Sequence, residues 1–294
     1  MKNQTVLQHI SLKERTDKNG FTPDINQKRG DPGMAYYINK YGRLLPVLSI
    51  ILALAVWEAV VNIWNLPGFI LPRPGQVWQR FIQVLLDGTL LEHSLVTLFE
   101  VLSGLMIGSI LATFIGYWLA RSRLLERTLS PYLVASQAVP VIAIAPLLII
   151  WFGPGISSKI LICSLTVFFP ILVNTVVGLR AVPESLHDLM LSLKASRLQM
   201  LVYLQIPSAM PIFLGGLRIG ATLSVIGAVV GEFVGADHGL GFLINVGRGQ
   251  YDTALVFVSI FSLVVMALAL YGLVVLAEYL NLGWQRHSEH RESC

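Results

Sequence analysis

Residues 192–211 read SLKASRLQMLVYLQIPSAMP, a stretch that carries Lys194 and Arg197 between long apolar runs and is closed by Pro207 and Pro211. Whether it crosses a membrane decides how the chain is threaded. Placing Glu184, Asp188, Lys194 and Arg197 near mid-bilayer costs roughly 10–14 kcal/mol in all, at roughly 2.5–3.5 kcal/mol each. The eight Leu and Val residues of 184–204 return only roughly 2.4–4.8 kcal/mol on the same scale. The segment stays in water. Its local signals are helical all the same: Pro183 suits a first helical position, and Glu184 and Asp188 fall in the early turns, where acids complement the helix dipole. Leu186, Leu189, Met190 and Leu193 give an apolar face at 3–4 spacing. Ser196-Arg197-Leu198-Gln199 is then a capping-box pattern that opens a second helix, expected to end at Pro207. Two short helices with a charged break at 194–196 suit docking, or simple capping of a bundle.

The rest of the 294-residue chain is 54% hydrophobic and 13% charged, with a mean hydropathy of +0.68. A soluble chain carries about 25% charged residues, so most of this one faces lipid or packed helices. Runs of about 20 apolar residues read as spans, and the candidates are 44–64, 94–120, 129–152, 158–179, 208–234 and 254–282. The expected fold is all-α: a polytopic bundle of about six transmembrane helices, with 183–207 as a cytoplasmic loop. Residues 1–43 lack the apolar core of a signal peptide and read as a polar tail, and 283–294 form a second tail. With both termini inside, the short inner loops hold Arg121, Arg123, Arg127, Arg180, Lys194 and Arg197, against Arg73, Arg80, Lys159 and Arg248 outside. Lys40 and Arg43 flank the first span on the same side, so both ends are expected in the cytoplasm.

Gly104, Gly108, Ala112, Gly116 and Ala120 recur every four residues in the second span. Gly216, Gly220, Ser224 and Ala228 repeat the device in the fifth, beside Gly227, Gly231 and Gly235. Such stripes let helix backbones approach closely where lipid offers no hydrophobic drive. Pro140, Pro146 and Pro170 are expected to kink the third and fourth spans. Residues 71–88, LPRPGQVWQRFIQVLLDG, place Val77, Trp78, Phe81, Ile82, Leu85 and Leu86 on one helical face, which predicts a helix lying at the outer membrane surface and stopped by Gly88. Gln137, Asn174 and Glu232 are polar residues in or near spans and are the candidates for a substrate pathway. Glu232, Glu58 and Glu100 equally suit interfacial hydrogen bonding, and Arg218 suits snorkelling to the inner interface. Cys163 and Cys294 offer no disulfide framework, and the six histidines have no metal spacing. No metal or cofactor is expected.

The segment 188–207 resembles the EAA loop of the permease subunits of bacterial ABC importers, patterned E-A-A-x3-G-x9-I-x-L-P. The matching positions are Asp188-Leu189-Met190, then Lys194, then Leu204-Gln205-Ile206-Pro207. QAVPVIAIAPLLIIWFG, FFPILVNTVVGLRAVP and GEFVGADHGLGFLI resemble the sulfonate, taurine and nitrate branch. GQYDTALVFVSIFSLVVMALALYGLV is similar to importers of pyrimidine-type vitamin precursors. The resemblance covers roughly residues 44–280 and departs from the pattern where Lys194 replaces its glycine.

The resemblance implies a permease in the bacterial inner membrane that pairs with a second copy, docks two copies of a separate ABC ATPase, and receives a small solute from a periplasmic or lipid-anchored binding protein. Asp188, Leu193, Lys194, Ala195, Ser196, Arg197 and Leu198 are then the expected ATPase contacts. No G-x-x-x-x-G-K-[ST] occurs in the chain, so ATP hydrolysis is expected in the partner and not here. A secondary transporter or channel would work without an ATPase, and inverted repeats would favour it. A membrane enzyme would need a nucleophile–base or metal cluster. Neither pattern is present, and nothing points to nucleic acid.

Overall fold

The computed structural model describes residues 45–137 and 140–281, apart from some side chains of 123–137, so the two polar tails lie outside the described residues. The described residues form helices and connecting turns with no strand. The described residues fall into two units, 45–59 and 60–281. The first contributes most of α1, Leu45–Ile63. The second holds α2 (Pro74–Leu86), α3 (Thr89–Arg121), α4 (Arg123–Gln137), α5 (Val141–Phe152), α6 (Ile156–Arg180), α7 (Glu184–Ser192), α8 (Arg197–Met200), α9 (Ile206–Gly235), α10 (Leu240–Gly249) and α11 (Thr253–Asn281).

Among the described residues, five helices are long and apolar enough to cross a membrane: α1, α3, α6, a continuous rod over 197–235, and α11. The expected third span, 129–152, is not a single helix. Pro140 sits in extended backbone (φ −68°, ψ 122°) and caps a new helix, since its ring removes a donor and fixes φ. What remains is a 15-residue α4 and a 12-residue α5, each shorter than the roughly 20 residues that a full crossing takes.

In the second unit the 197–235 rod and the α6 helix each have 44% of their most apolar window buried, against 11% for α11, and α3 and α9 both pack on α6. The two small-residue stripes press on it from either side. A Cβ at Gly104 or Gly108 of α3 would overlap the side chains of Cys163 or Val167. From α9, Gly227 lies where a Cβ would come within 3.0 Å of the Cys163 Cα, and Gly216 where it would come 2.6 Å from the Asn174 Cβ. The glycines thus allow the three backbones to meet, as expected of close packing in lipid. Ala112, Val167, Ile171 and Leu172 form the core at that junction.

At the α2–α3 corner, Gly88 adopts a left-handed φ of 82°, ending one helix and beginning the next. The Thr89 N–H donates to Asp87 Oδ1 at 2.9 Å, which holds the Asp87 carboxyl below its ordinary range. The surface helix forms as expected but buries a different edge. Val77 and Val84, seven residues apart, are its buried positions, while Trp78 and Leu86 stay exposed. Arg80 Nε pairs with Asp252 Oδ2 at 2.8 Å, tying α2 to the start of α11.

Candidate functional site

The 184–207 loop is two helices and a break. The α7 helix ends at Leu193, and Lys194 follows with a left-handed φ of 53°. The Lys194 N–H donates to Leu191 O at 2.9 Å and the Ala195 N–H to Met190 O at 3.0 Å, the paired bonds of a Schellman terminator. The family's glycine therefore stands at a position that needs left-handed backbone, and Lys194 meets the need at a cost of about 1–2 kcal/mol. Ser196 then caps α8. Its Oγ accepts from the Gln199 N–H at 3.3 Å, and the Ser196 N–H donates to Gln199 Oε1 at 2.8 Å. The capping box is formed in full.

Pro207 does not end the second helix. A π-helical turn over Leu201–Gln205 follows α8, and the Ile206 N–H reaches back to Leu201 O. The wider turn relieves the pressure that the Pro207 ring would put on the Tyr203 carbonyl in an α-helix. Residues 197–235 therefore form one 39-residue rod, rooted in the loop and running the length of the bundle. Asp188, Leu193, Lys194, Ser196, Arg197 and Leu198 are exposed on the loop, and Ala195 is half-buried. Leu193 and Leu198 keep 68% and 69% of their surface on either side of the break. A pair of exposed apolar side chains flanking two exposed cations is a surface suited to contact with another protein.

At the opposite end of the bundle lies a buried polar cluster in which Glu232, a pathway candidate from sequence, joins Thr97 and His93, which the sequence did not single out. Thr97 Oγ1 donates to Glu232 Oε1 at 2.6 Å and accepts from the Leu240 N–H at 2.8 Å. The Gly241 N–H donates to Glu232 Oε2, and the Gly239 N–H donates to His93 Nδ1 at 2.9 Å. Together these bonds pin the 236–241 turn onto α3 and α9. Gly239, at φ 116°, has no room for a Cβ because the Glu232 carboxyl occupies it. Lys159, expected in an outer loop, is instead buried in α6 with its Nζ 3.8 Å from Glu100 Oε1. Glu100 is fully buried. The α10 helix was also missed, although Leu240, Leu243 and Gly247, its buried positions, recur at helical spacing.

Of the three pathway candidates, Glu232 and Asn174 lie at different levels of the bundle. Glu232 is 1% exposed beneath the 236–241 turn. Asn174 lies in the last third of α6, where its Nδ2 donates to Pro170 O at 2.8 Å beside Gly216 of α9. Gln137 closes α4, and its side chain lies outside the described residues. Arg218 does not merely snorkel: its guanidinium pairs with Glu278, joining α9 to α11 near the loop end. Among the described residues, no group of three or more His, Cys, Asp or Glu could hold a metal ion.

Residues 104–282 match the family described as "Binding-protein-dependent transport system inner membrane component". The riboflavin transport system permease protein RibX of Chloroflexus aurantiacus is 46% identical over 82% of this chain and 90% of its own length. The formylaminopyrimidine transport permease protein ThiX of Halalkalibacterium halodurans is 35% identical over 84% of this chain and 98% of its own. The aliphatic sulfonates permease SsuC of Bacillus subtilis, named as putative, is 30% identical over 92% and 97%. In fold, the chain is similar to the MetNI methionine ABC transporter solved in inward-facing conformations. The TM-score is 0.59 at 18% identity, over 67% of this chain and 97% of that one.

Proposed function

Because this chain belongs to the family of inner-membrane permease components of binding-protein-dependent ABC importers, we propose that it couples solute movement to a separate ATPase through residues 184–200. The observation that carries this reading is the helix–break–helix itself. The break is closed by its own hydrogen bonds and flanked by exposed Leu193 and Leu198. Asp188, Lys194, Ala195, Ser196 and Arg197 form the contact core. The 197–235 rod then offers a direct route for force, because the helix continues from α8 through the π-turn into α9 without a break. Two copies of the chain enclose the pathway, both termini face the cytoplasm, and a binding protein delivers solute at the end of the bundle where the 236–241 turn lies. Asn174 and Gln137 contribute polar groups to the pathway. Glu232 serves it by holding that turn in place.

The solute we propose is a nitrogen heterocycle of the vitamin or vitamin-precursor type. The relatives at 46% and 35% identity are named for riboflavin and formylaminopyrimidine, and those at 30% and 29% for aliphatic sulfonates and taurine. Labelled riboflavin, formylaminopyrimidine and taurine, supplied to cells expressing the chain with its partners, separate these possibilities. Saturable uptake of taurine alone would contradict the heterocycle reading.

Arg197→Glu tests the contact core. Reversing one charge in a protein interface costs several kcal/mol when a like charge is brought opposite. The expected result is loss of ATPase copurification and at least a tenfold fall in uptake, with the permease itself folded. Normal assembly together with normal uptake would remove Arg197 from the interface.

A further inference from the structure

The last turns of α3 and α6 and the inner side of the 184–205 loop enclose a cleft of about 470 Å³, bordered by Tyr117, Arg121, His187, Arg197 and Gln205. An adjoining hollow shares Arg121, His187 and Gln205 and adds Arg180 and Glu184. The cleft itself is bordered by two guanidinium groups, Arg121 and Arg197, with no carboxylate among its described lining residues. Arg121 lies with its Cζ 4.7 Å above the Tyr117 ring, a contact that orients the guanidinium and leaves its N–H edge open to an acceptor. Arg180 donates to Leu119 O at 3.3 Å, which sets it at the end of α3.

A second cavity of about 590 Å³ shares Tyr117 and Leu179 with this cleft and is almost wholly apolar, with Ile110, Phe114, Met210 and Phe213 in its walls. It runs along the spans, and the cationic cleft sits at their ends. A free phosphate or nucleotide would use only the first space. One molecule class matches both: a phosphate-bearing headgroup carrying an acyl chain. We propose that this paired site holds an anionic phospholipid, with its phosphate between Arg121 and Arg197 and one acyl chain along Phe114 and Phe213. Basic pockets between helices at a membrane surface recognise headgroups in this way. A zwitterionic lipid would bring its own cation against Arg121 and Arg197 and fit less well. Because Ala195 and Arg197 belong to the loop, the bound lipid also braces the break from behind.

Native mass spectrometry of the purified full-length chain tests the site, with phosphatidylglycerol, phosphatidylcholine and inorganic phosphate as probes. The wild type is expected to retain phosphatidylglycerol over phosphatidylcholine by at least about fivefold, the factor for one near-surface arginine. Arg121→Gln should lower that preference by about fivefold, and Arg121→Lys should largely keep it. Met210→Trp, which fills the apolar groove, should reduce retention of both lipids. Arg248→Gln, at the other end of the bundle, should change neither. Equal retention of the two lipids by the wild type, or an unchanged preference in Arg121→Gln, would overturn the site. Displacement of lipid by inorganic phosphate, with Met210→Trp having no effect, would make it a free-anion site and overturn the lipid assignment. No ATPase is present in this measurement, so it succeeds or fails independently of the coupling role.

Discussion

Replacing Lys194 by proline is expected to abolish uptake while leaving the bundle folded. Proline fixes φ near −65° and has no N–H, whereas Lys194 holds φ at 53° and donates to Leu191 O. The terminator between α7 and α8 cannot form, at a cost of about 3 kcal/mol or more. That is a shift of more than about a hundredfold in the population carrying the loop geometry. The damage stays local, because residues 191–199 are mostly exposed and belong to neither core cluster. Glycine at the same position is the control. It removes the left-handed penalty of about 1–2 kcal/mol and adds about 0.5–1 kcal/mol of lost chain freedom. Lys194→Gly should therefore keep the break and fold at least as well as the wild type, and any fall in its uptake measures the loss of the Lys194 side chain from the contact core. Uptake, ATPase copurification and thermal unfolding of both variants check this, and robust uptake by Lys194→Pro would remove the break from the mechanism.

The second large effect is expected at Gly108, where α3 crosses α6. A Cβ there would overlap Val167 and come 2.7 Å from the Ser164 carbonyl oxygen. The carbonyl is backbone and cannot step aside as a flexible side chain would. Even one inserted methylene in a packed interior costs about 1–3 kcal/mol, and Gly108→Leu inserts a whole side chain where two helices touch. Monodisperse protein should be lost. Gly108→Ala should unfold at a markedly lower temperature, whereas Gly272→Ala, with nothing within 4 Å of its added Cβ, should not. Size-exclusion profiles and melting curves decide the matter, and equal behaviour of the two alanine variants would mean that α3 and α6 are not held by close backbone contact.

Much of this was legible because the signals are local. Small residues every four positions announced a helix contact, and Ser196 and Gln199 announced a cap. The places where reading failed involve compensation between distant or differently wound residues. Pro207 looked like a stop because an α-helix was assumed, and a π-turn let the helix continue. Pro140 looked like a kink inside one span and is instead the boundary between two short helices. Glu100 and Lys159, 59 positions apart in sequence, looked like separate surface charges until α3 and α6 brought them together. No periodicity within either helix reports such a pairing. The bonds that join His93, Thr97 and Glu232 to the 236–241 turn were hidden for the same reason, since their partners include backbone N–H groups of a different segment.

The central claim is that residues 184–200 grip an ATPase this chain does not itself contain. A photo-crosslinking residue placed at Ser196 of the full-length chain, expressed in cells with its native partners, tests it most directly. Illumination should join the permease to a protein carrying a G-x-x-x-x-G-K-[ST] phosphate loop, and the same probe placed at Arg248 should not. Recovery of no such partner from Ser196, with uptake intact in the same cells, would contradict the coupling role.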